Sequence, residues 1–152
     1  MKKVFLIVVG KNKTDSLVKE EQEYLKRIKS FKLETIELKL FDSKEKNDLQ
    51  VIDKIKSLSE KNQPTVILLE ERGKQYTSPD LSNYFFNIIE NSVGPVIFVI
   101  GGADGHGDEI KKSTHHHFSL SKLTLPHRFA RLILIEQLYR VETIKQGHPY
   151  HK

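Results

Sequence analysis

Val96-Ile97-Phe98-Val99-Ile100 runs directly into Gly101-Gly102-Ala103-Asp104-Gly105-His106-Gly107. A continuous β-branched run reads as a strand buried on both faces, as in a parallel sheet. Glycines at its exit let a ligand approach the backbone closely. Four more short apolar runs repeat the strand signal, giving strands at 4–9, 33–40, 65–69, 95–100 and 118–120. The run 33–40 alternates, which suits a half-buried edge strand. Helical spacing fills the gaps. Leu17, Tyr24, Leu25 and Ile28 predict a helix over 16–30, and Leu49, Ile52, Ile55 and Leu58 predict one over 48–59. Ser78-Pro79 reads as an N-cap and first helical position, opening a helix over 78–91. Segments 108–114 and 128–146 complete the set, the last ended by Gly147 and Pro149. Strand and helix alternate throughout, so the class is α/β with a mostly parallel sheet. The polar run 44–48 reads as a loop within one domain covering 1–152.

Composition narrows the functional classes. The chain has 152 residues, 38% hydrophobic, with 25 Lys and Arg against 20 Asp and Glu, for a net charge of +5 and a pI near 9.3. That balance favours a polyanionic partner. Cysteine is absent, which removes disulfides, thiolate nucleophiles and cysteine-based zinc sites. Met1-Lys2-Lys3 followed by the apolar run 4–9 resembles a signal peptide, but the run is too short and no cleavage site follows. It reads as a first strand in a cytoplasmic protein. No apolar run is long enough to span a membrane.

Ligands of parallel sheets bind beyond the carboxyl ends of the strands. Three loops fall there, at 70–77, 101–107 and 121–127. The glycine loop matches neither the dinucleotide fingerprint nor the P-loop, and Asp104, Asp108 and Glu109 oppose phosphate binding. His115-His116-His117 reads as a solvated connection, because neighbouring strand residues point to opposite faces and no metal motif accompanies them. Arg128, Arg131 and Arg140 read as a solvated face of the last helix, with Glu136 and Arg140 paired at i, i+4. That helix also carries Leu132, Ile133, Leu134, Ile135, Leu138 and Val141. So broad a coat predicts burial on two sides, against the sheet and against a second subunit. The final residues, His148-Pro149-Tyr150-His151-Lys152, put an aromatic ring and two imidazoles where polar, unstructured sequence is usual.

These motifs resemble one family. Ile100-Gly101-Gly102 with Gly105, Ser119-Leu120-Ser121-x-Leu-Thr-Leu-Pro-His, Arg131, Glu136-Gln137-Leu138-Tyr139-Arg140 and His148-Pro149-Tyr150-His151-Lys152 are similar, in order, to the ribosomal RNA large-subunit methyltransferase H family, of the SPOUT class. Val9-Gly10, Glu23-Tyr24 and Gly73-Lys74 extend the likeness, while residues 103–117 add no distinctive agreement. The resemblance implies an alpha/beta-knot fold with a C-terminal trefoil knot, a homodimer, and methylation of N3 of a pseudouridine in 23S rRNA from S-adenosylmethionine. It further implies that Leu69, Gly102, Ser121, Lys122, Leu123, Thr124, Leu125 and Pro126 hold the cofactor. No metal and no membrane enter this reading.

Methylating N3 of a uracil-type ring needs a base or an anion-stabilising donor. His148, Tyr150 and His151 are the candidates, with Arg140 and Lys152 supplying positive charge, and the sequence leaves their roles undivided. Two other classes explain parts of the pattern. A Rossmann-type oxidoreductase accounts for the alternation but lacks the glycines; a non-catalytic ribosome-binding protein accounts for the charge alone. Cofactor binding separates the first, and methyl transfer to ribosomes the second.

Overall fold

The computed structural model describes residues 1–12, 15–59 and 61–152. Among them, strands and helices alternate in the order β1 (Lys3–Val9), α1 (Asp15–Arg27), β2 (Lys32–Leu38), α2 (Lys44–Ser59), β3 (Thr65–Lys74), α3 (Ser78–Asn91), β4 (Val96–Ile100), α4 (Asp108–Ser113), β5 (His116–Phe118) and α5 (His127–Gln146). The described strands form one sheet of five, ordered β2-β1-β4-β3-β5, with every pairing parallel. β1 and β4 lie inside it, which is why their runs are uninterrupted by polar residues.

The strand period sorts the core into two layers. Val4, Leu6, Val8, Phe98 and Ile100 face one side and pack with Phe85, Leu134 and Leu138 of α3 and α5. Phe5, Ile7, Val9, Ile97 and Val99 face the other and pack with Val51 of α2 and Ile110 of α4. α5 lies against both α1 and α3. Much of its broad apolar coat is therefore buried inside this chain: Leu134, Ile135, Leu138 and Val141 are fully enclosed, while Phe129 and Ile133 stay 41% and 37% exposed.

Several boundaries differ from the sequence reading, with β2 ending at Leu38 and α1 at Arg27. Segment 44–48 is the first turn of α2, started by Ser43, whose Oγ accepts the Lys46 N–H at 3.1 Å. β3 continues through Lys74, because Gly73 lets β5 come so close that a Cβ there would lie 2.7 Å from the His117 backbone. β5 begins at His116, two residues early. Thr77, not Ser78, caps α3, its hydroxyl accepting the Asp80 N–H at 3.2 Å. At the far end of α5, Gly147 takes the left-handed conformation (φ 69°) and the His148 N–H reaches the Thr143 carbonyl at 2.9 Å, a glycine stop.

Candidate functional site

The carboxyl ends of β3, β4 and β5 enclose a cavity of about 610 Å³. That is within the usual range for a small-molecule site. Three segments build most of its wall, Leu69 to Arg72, Ile100 to His106, and Ser119 to His127 without Lys122, and Lys111 and Ala130 complete it. The middle segment turns back on itself, with the Gly105 N–H donating to the Gly102 carbonyl at 2.9 Å and Gly105 at φ 80°. The third is braced by its own serines. Ser119 Oγ donates to the Ser121 carbonyl, and Ser121 Oγ accepts the Leu123 N–H, both at 2.9 Å.

Of the residues read as cofactor contacts, Leu69, Gly102, Ser121, Leu123, Thr124, Leu125 and Pro126 line this cavity. Lys122 is exposed and does not line it. A side chain at Gly102 would point away from the cavity, meeting Leu40 Cδ1 at 2.7 Å and Val9 Cγ1 at 3.7 Å.

Three wall residues within the loops read from the sequence, His106, Glu70 and His127, were given no role there. His106 is buried, and its Nε2–H donates to the Leu69 carbonyl at 3.0 Å, tying the glycine turn to β3. Burial outweighs that bond and holds its pKa below 6.5. Glu70 pairs with Lys111 at 3.0 Å and with His117 Nδ1 at 2.6 Å. Burial pushes the Glu70 carboxyl up, but Lys111 and His117 together overcome it and hold it below 4.5. His127 stands over Gly10, and burial and Arg131 lower its pKa. The strand-end rule pointed to these loops, but a lone His or Glu in a polar stretch carries no signal of its partner.

The triple histidine is not a solvated connection. His117 bonds Glu70 and Thr114, while His116, facing the other way, lies 2.9 Å from the Tyr84 hydroxyl. Among the described residues no group of three or more metal-ligating side chains forms. Arg131 is likewise no surface residue. It is 6% exposed, with Nε 2.7 Å from Glu21 and Nη1 2.6 Å from Glu37, joining α5 to α1 and β2.

Arg140, His148, Tyr150 and His151 lie together, but none of them lines the cavity. Glu136 organises them. Its Oε1 accepts from Arg140 Nη2 at 2.6 Å, Arg140 Nε at 3.0 Å and the Tyr150 hydroxyl at 2.9 Å, and its Oε2 accepts from Gln137 at 2.8 Å. The Arg140 guanidinium sits 4.9 Å over the Tyr150 ring, and that ring meets Tyr139 edge-on at 4.8 Å. Burial, with the bonds to Tyr24 and Glu136, pushes the Tyr150 phenol well above its usual 10.0. Its hydroxyl donates to Glu136. His151 Nδ1 lies 3.1 Å from Arg140 Nη1, and His148 Nδ1 lies 3.2 Å from the Tyr150 N–H.

Comparison with known proteins agrees with this architecture. Residues 2–151 match the family model described as predicted SPOUT methyltransferase. The chain belongs to the SPOUT methyltransferase family. A relative in Deinococcus deserti named ribosomal RNA large subunit methyltransferase H is 48% identical over 87 residues, covering 57% of this chain and 60% of that protein. The Koribacter versatilis protein of the same name is 36% identical over 150 residues, covering 98% of this chain and 97% of its own length. Among solved structures, the SpoU methyltransferase AviRb from Streptomyces viridochromogenes, in complex with the cofactor AdoMet, superposes with a TM-score of 0.53 at 9% identity. This SPOUT chain is covered over 93% and spans 58% of AviRb, a likeness of fold. No helix among its described residues is long and apolar enough to cross a membrane.

Proposed function

We propose that this chain methylates N3 of a pseudouridine in 23S ribosomal RNA from S-adenosylmethionine, as a homodimer acting on the assembled ribosome. The observation that carries the reading is the strand-end cavity, found in a chain aligned over 98% of its length with a relative named for ribosomal RNA methylation. Its volume suits a nucleoside-sized ligand, and its wall combines apolar Leu69, Leu123 and Leu125 with a backbone turn at Gly102 that leaves N–H and C=O groups near the ligand. Leu69, Gly102, Ser121, Leu123, Thr124, Leu125 and Pro126 would hold the cofactor, with Lys122 beside them in solvent. When bound, S-adenosylmethionine supplies an electrophilic methyl group.

The chain's own residues supply position and charge. His106 holds the Leu69 carbonyl and so sets the spacing of two cavity walls. Leu125 and Pro126 line the cavity as apolar wall. His148, Tyr150, His151 and Arg140 serve the acceptor base; since they sit outside their own cavity, they act at the cavity of the second copy, which is the work a homodimer does. Exposed Phe129 and Ile133, one turn apart on α5, and exposed Leu123 support such a contact. The trefoil-knotted path of the family belongs to the same proposal. Net charge +5 favours phosphate contacts, so ribosome binding weakens with salt, and the substrate implies work in the cytoplasm.

Mass spectrometry of 23S rRNA pseudouridines, after incubation with unmethylated ribosomes and labelled cofactor, tests the reading. A single labelled N3-methylpseudouridine is expected; ribosomes left unlabelled by a cofactor-binding protein would refute it. A chain stopped after Gly147 should keep cofactor binding in calorimetry and lose methylation by about 100-fold or more. Full activity of that chain would remove residues 148–152 from the mechanism.

A further inference from the structure

The cluster around Glu136 divides the roles that its sequence leaves mixed. A guanidinium has five N–H donors and no acceptor. Arg140 Nη1 lies 3.1 Å from His151 Nδ1, so that ring nitrogen must present its lone pair. In the neutral imidazole the proton then sits on Nε2, on the opposite side of the ring. Arg140 has little freedom to release it. Two of its nitrogens are held by Glu136 Oε1 at 3.0 and 2.6 Å, and the Tyr150 ring lies under the guanidinium. His148 is set the same way, its Nδ1 accepting the Tyr150 backbone N–H at 3.2 Å. The Tyr150 hydroxyl proton is spent on Glu136. The segment therefore presents donors outward, and its described bonds leave no imidazole Nδ1 free to take a proton.

We infer that His151 acts on the acceptor base as a hydrogen-bond donor through Nε2–H, and that Glu136 and Arg140 are the positioning residues that fix its tautomer. The inference rests on the proposed function. A uracil-type ring carries two carbonyls beside N3, and the negative charge left when N3 loses its proton spreads onto them. A fixed N–H aimed at such an oxygen lowers the cost of that anion. The N3 proton goes to bulk water in an equilibrium before transfer. The new N3–carbon bond then forms as the methyl–sulfur bond breaks, its electron pair remaining on sulfur.

Two side chains separate donor from base. A glutamine amide places an N–H near the position of Nε2 but takes no proton. His151→Gln should retain kcat within several-fold of the parent, whereas His151→Ala should lose about 100-fold, the usual cost of one anion-stabilising donor. Thermal melting of both variants serves as the folding control. Long-range proton–nitrogen NMR on the intact free protein reads the tautomer without any activity, and an unprotonated His151 Nδ1 is expected. A protonated Nδ1, or a Gln variant as inactive as the Ala variant while the chain stopped after Gly147 is also inactive, would overturn the inference and leave the proposed function standing. Full activity of the stopped chain would instead overturn the part given to residues 148–152, and this inference with it.

Discussion

Asp48 leaves the first half of α2 and ends against a turn more than fifty residues away. It is 5% exposed, and its two oxygens accept the Gly107 N–H at 2.9 Å and the Ile110 N–H at 3.3 Å. Gly107 is glycine for this reason, since a Cβ there would meet Asp48 Oδ2 at 2.5 Å. Removing the carboxylate strands two backbone donors beside the cavity wall. Asp48→Ala should cost about 1–3 kcal/mol, read from urea unfolding, and should also weaken cofactor binding in calorimetry by loosening residues 101–107. Unchanged stability would mean that water replaces the carboxylate without loss. None of this was legible beforehand. An aspartate in a polar run looks solvated, and only the fold brings the run under α4. Gly102, by contrast, was legible as a cavity residue, although its missing side chain makes room for Leu40.

α5 is the element on which the reading of the chain turned. Its length and its Gly147 stop follow from periodicity and glycine chemistry. Its partners do not. Arg131 connects it to Glu21 and Glu37, and Glu21 is almost fully buried. Arg131→Ala would leave that carboxylate enclosed without its cation, a loss of about 3 kcal/mol. Arg131→Ala combined with Glu21→Gln should recover part of it, and chemical unfolding of the pair checks the coupling.

The acid response follows from groups on and around the same element. Burial dominates in lowering His127 and His106 below 6.5. At Glu37 burial acts upward, but the Asn12 N–H and Arg131 outweigh it and hold the carboxyl below 4.5, as Lys111 and His117 do for Glu70. In all four the unfolded chain binds the proton more tightly, so each contribution is present above the unfolded value and lost as pH falls through the folded one. Glu21 runs the other way, because burial exceeds the pull of Arg131 and raises its pKa. Its contribution is present below 4.5 and lost as pH rises through the folded value. The Tm should therefore drop between about pH 7 and about pH 5, from the histidines, before the carboxylates add to it. Scanning calorimetry with a flat Tm over that range would contradict this.

At the scale of the whole molecule, the exposed apolar residues decide the expected assembly. The sequence reading assigned the wide coat of α5 to the sheet and to a second subunit, yet the chain's own sheet, α1 and α3 cover most of it. On α5 only Phe129 and Ile133 remain exposed, with Leu123 exposed in the loop before it. Light scattering at micromolar concentration should still give a dimer. Phe129→Asp with Ile133→Asp should convert it to a monomer that keeps its cofactor affinity, with methylation lost if residues 148–152 serve the opposite cavity. A parent chain that scatters as a monomer would defeat the dimer.

The sequence by itself determined the strands, the helices, their alternation, the parallel class and the family. Each of these is written in short-range period or in ordered motifs, which neighbouring residues carry without help from the rest of the chain. Tertiary structure alone decided the strand order β2-β1-β4-β3-β5, the extension of β3 and the partners of the buried charges. Arg131 reaches Glu37 across 94 positions, His117 reaches Glu70 across 47, and His106 reaches Leu69 across 37. Such pairs leave no periodic trace, because a hydrogen bond needs two atoms at the right distance and angle, and only the folded path of the backbone sets those.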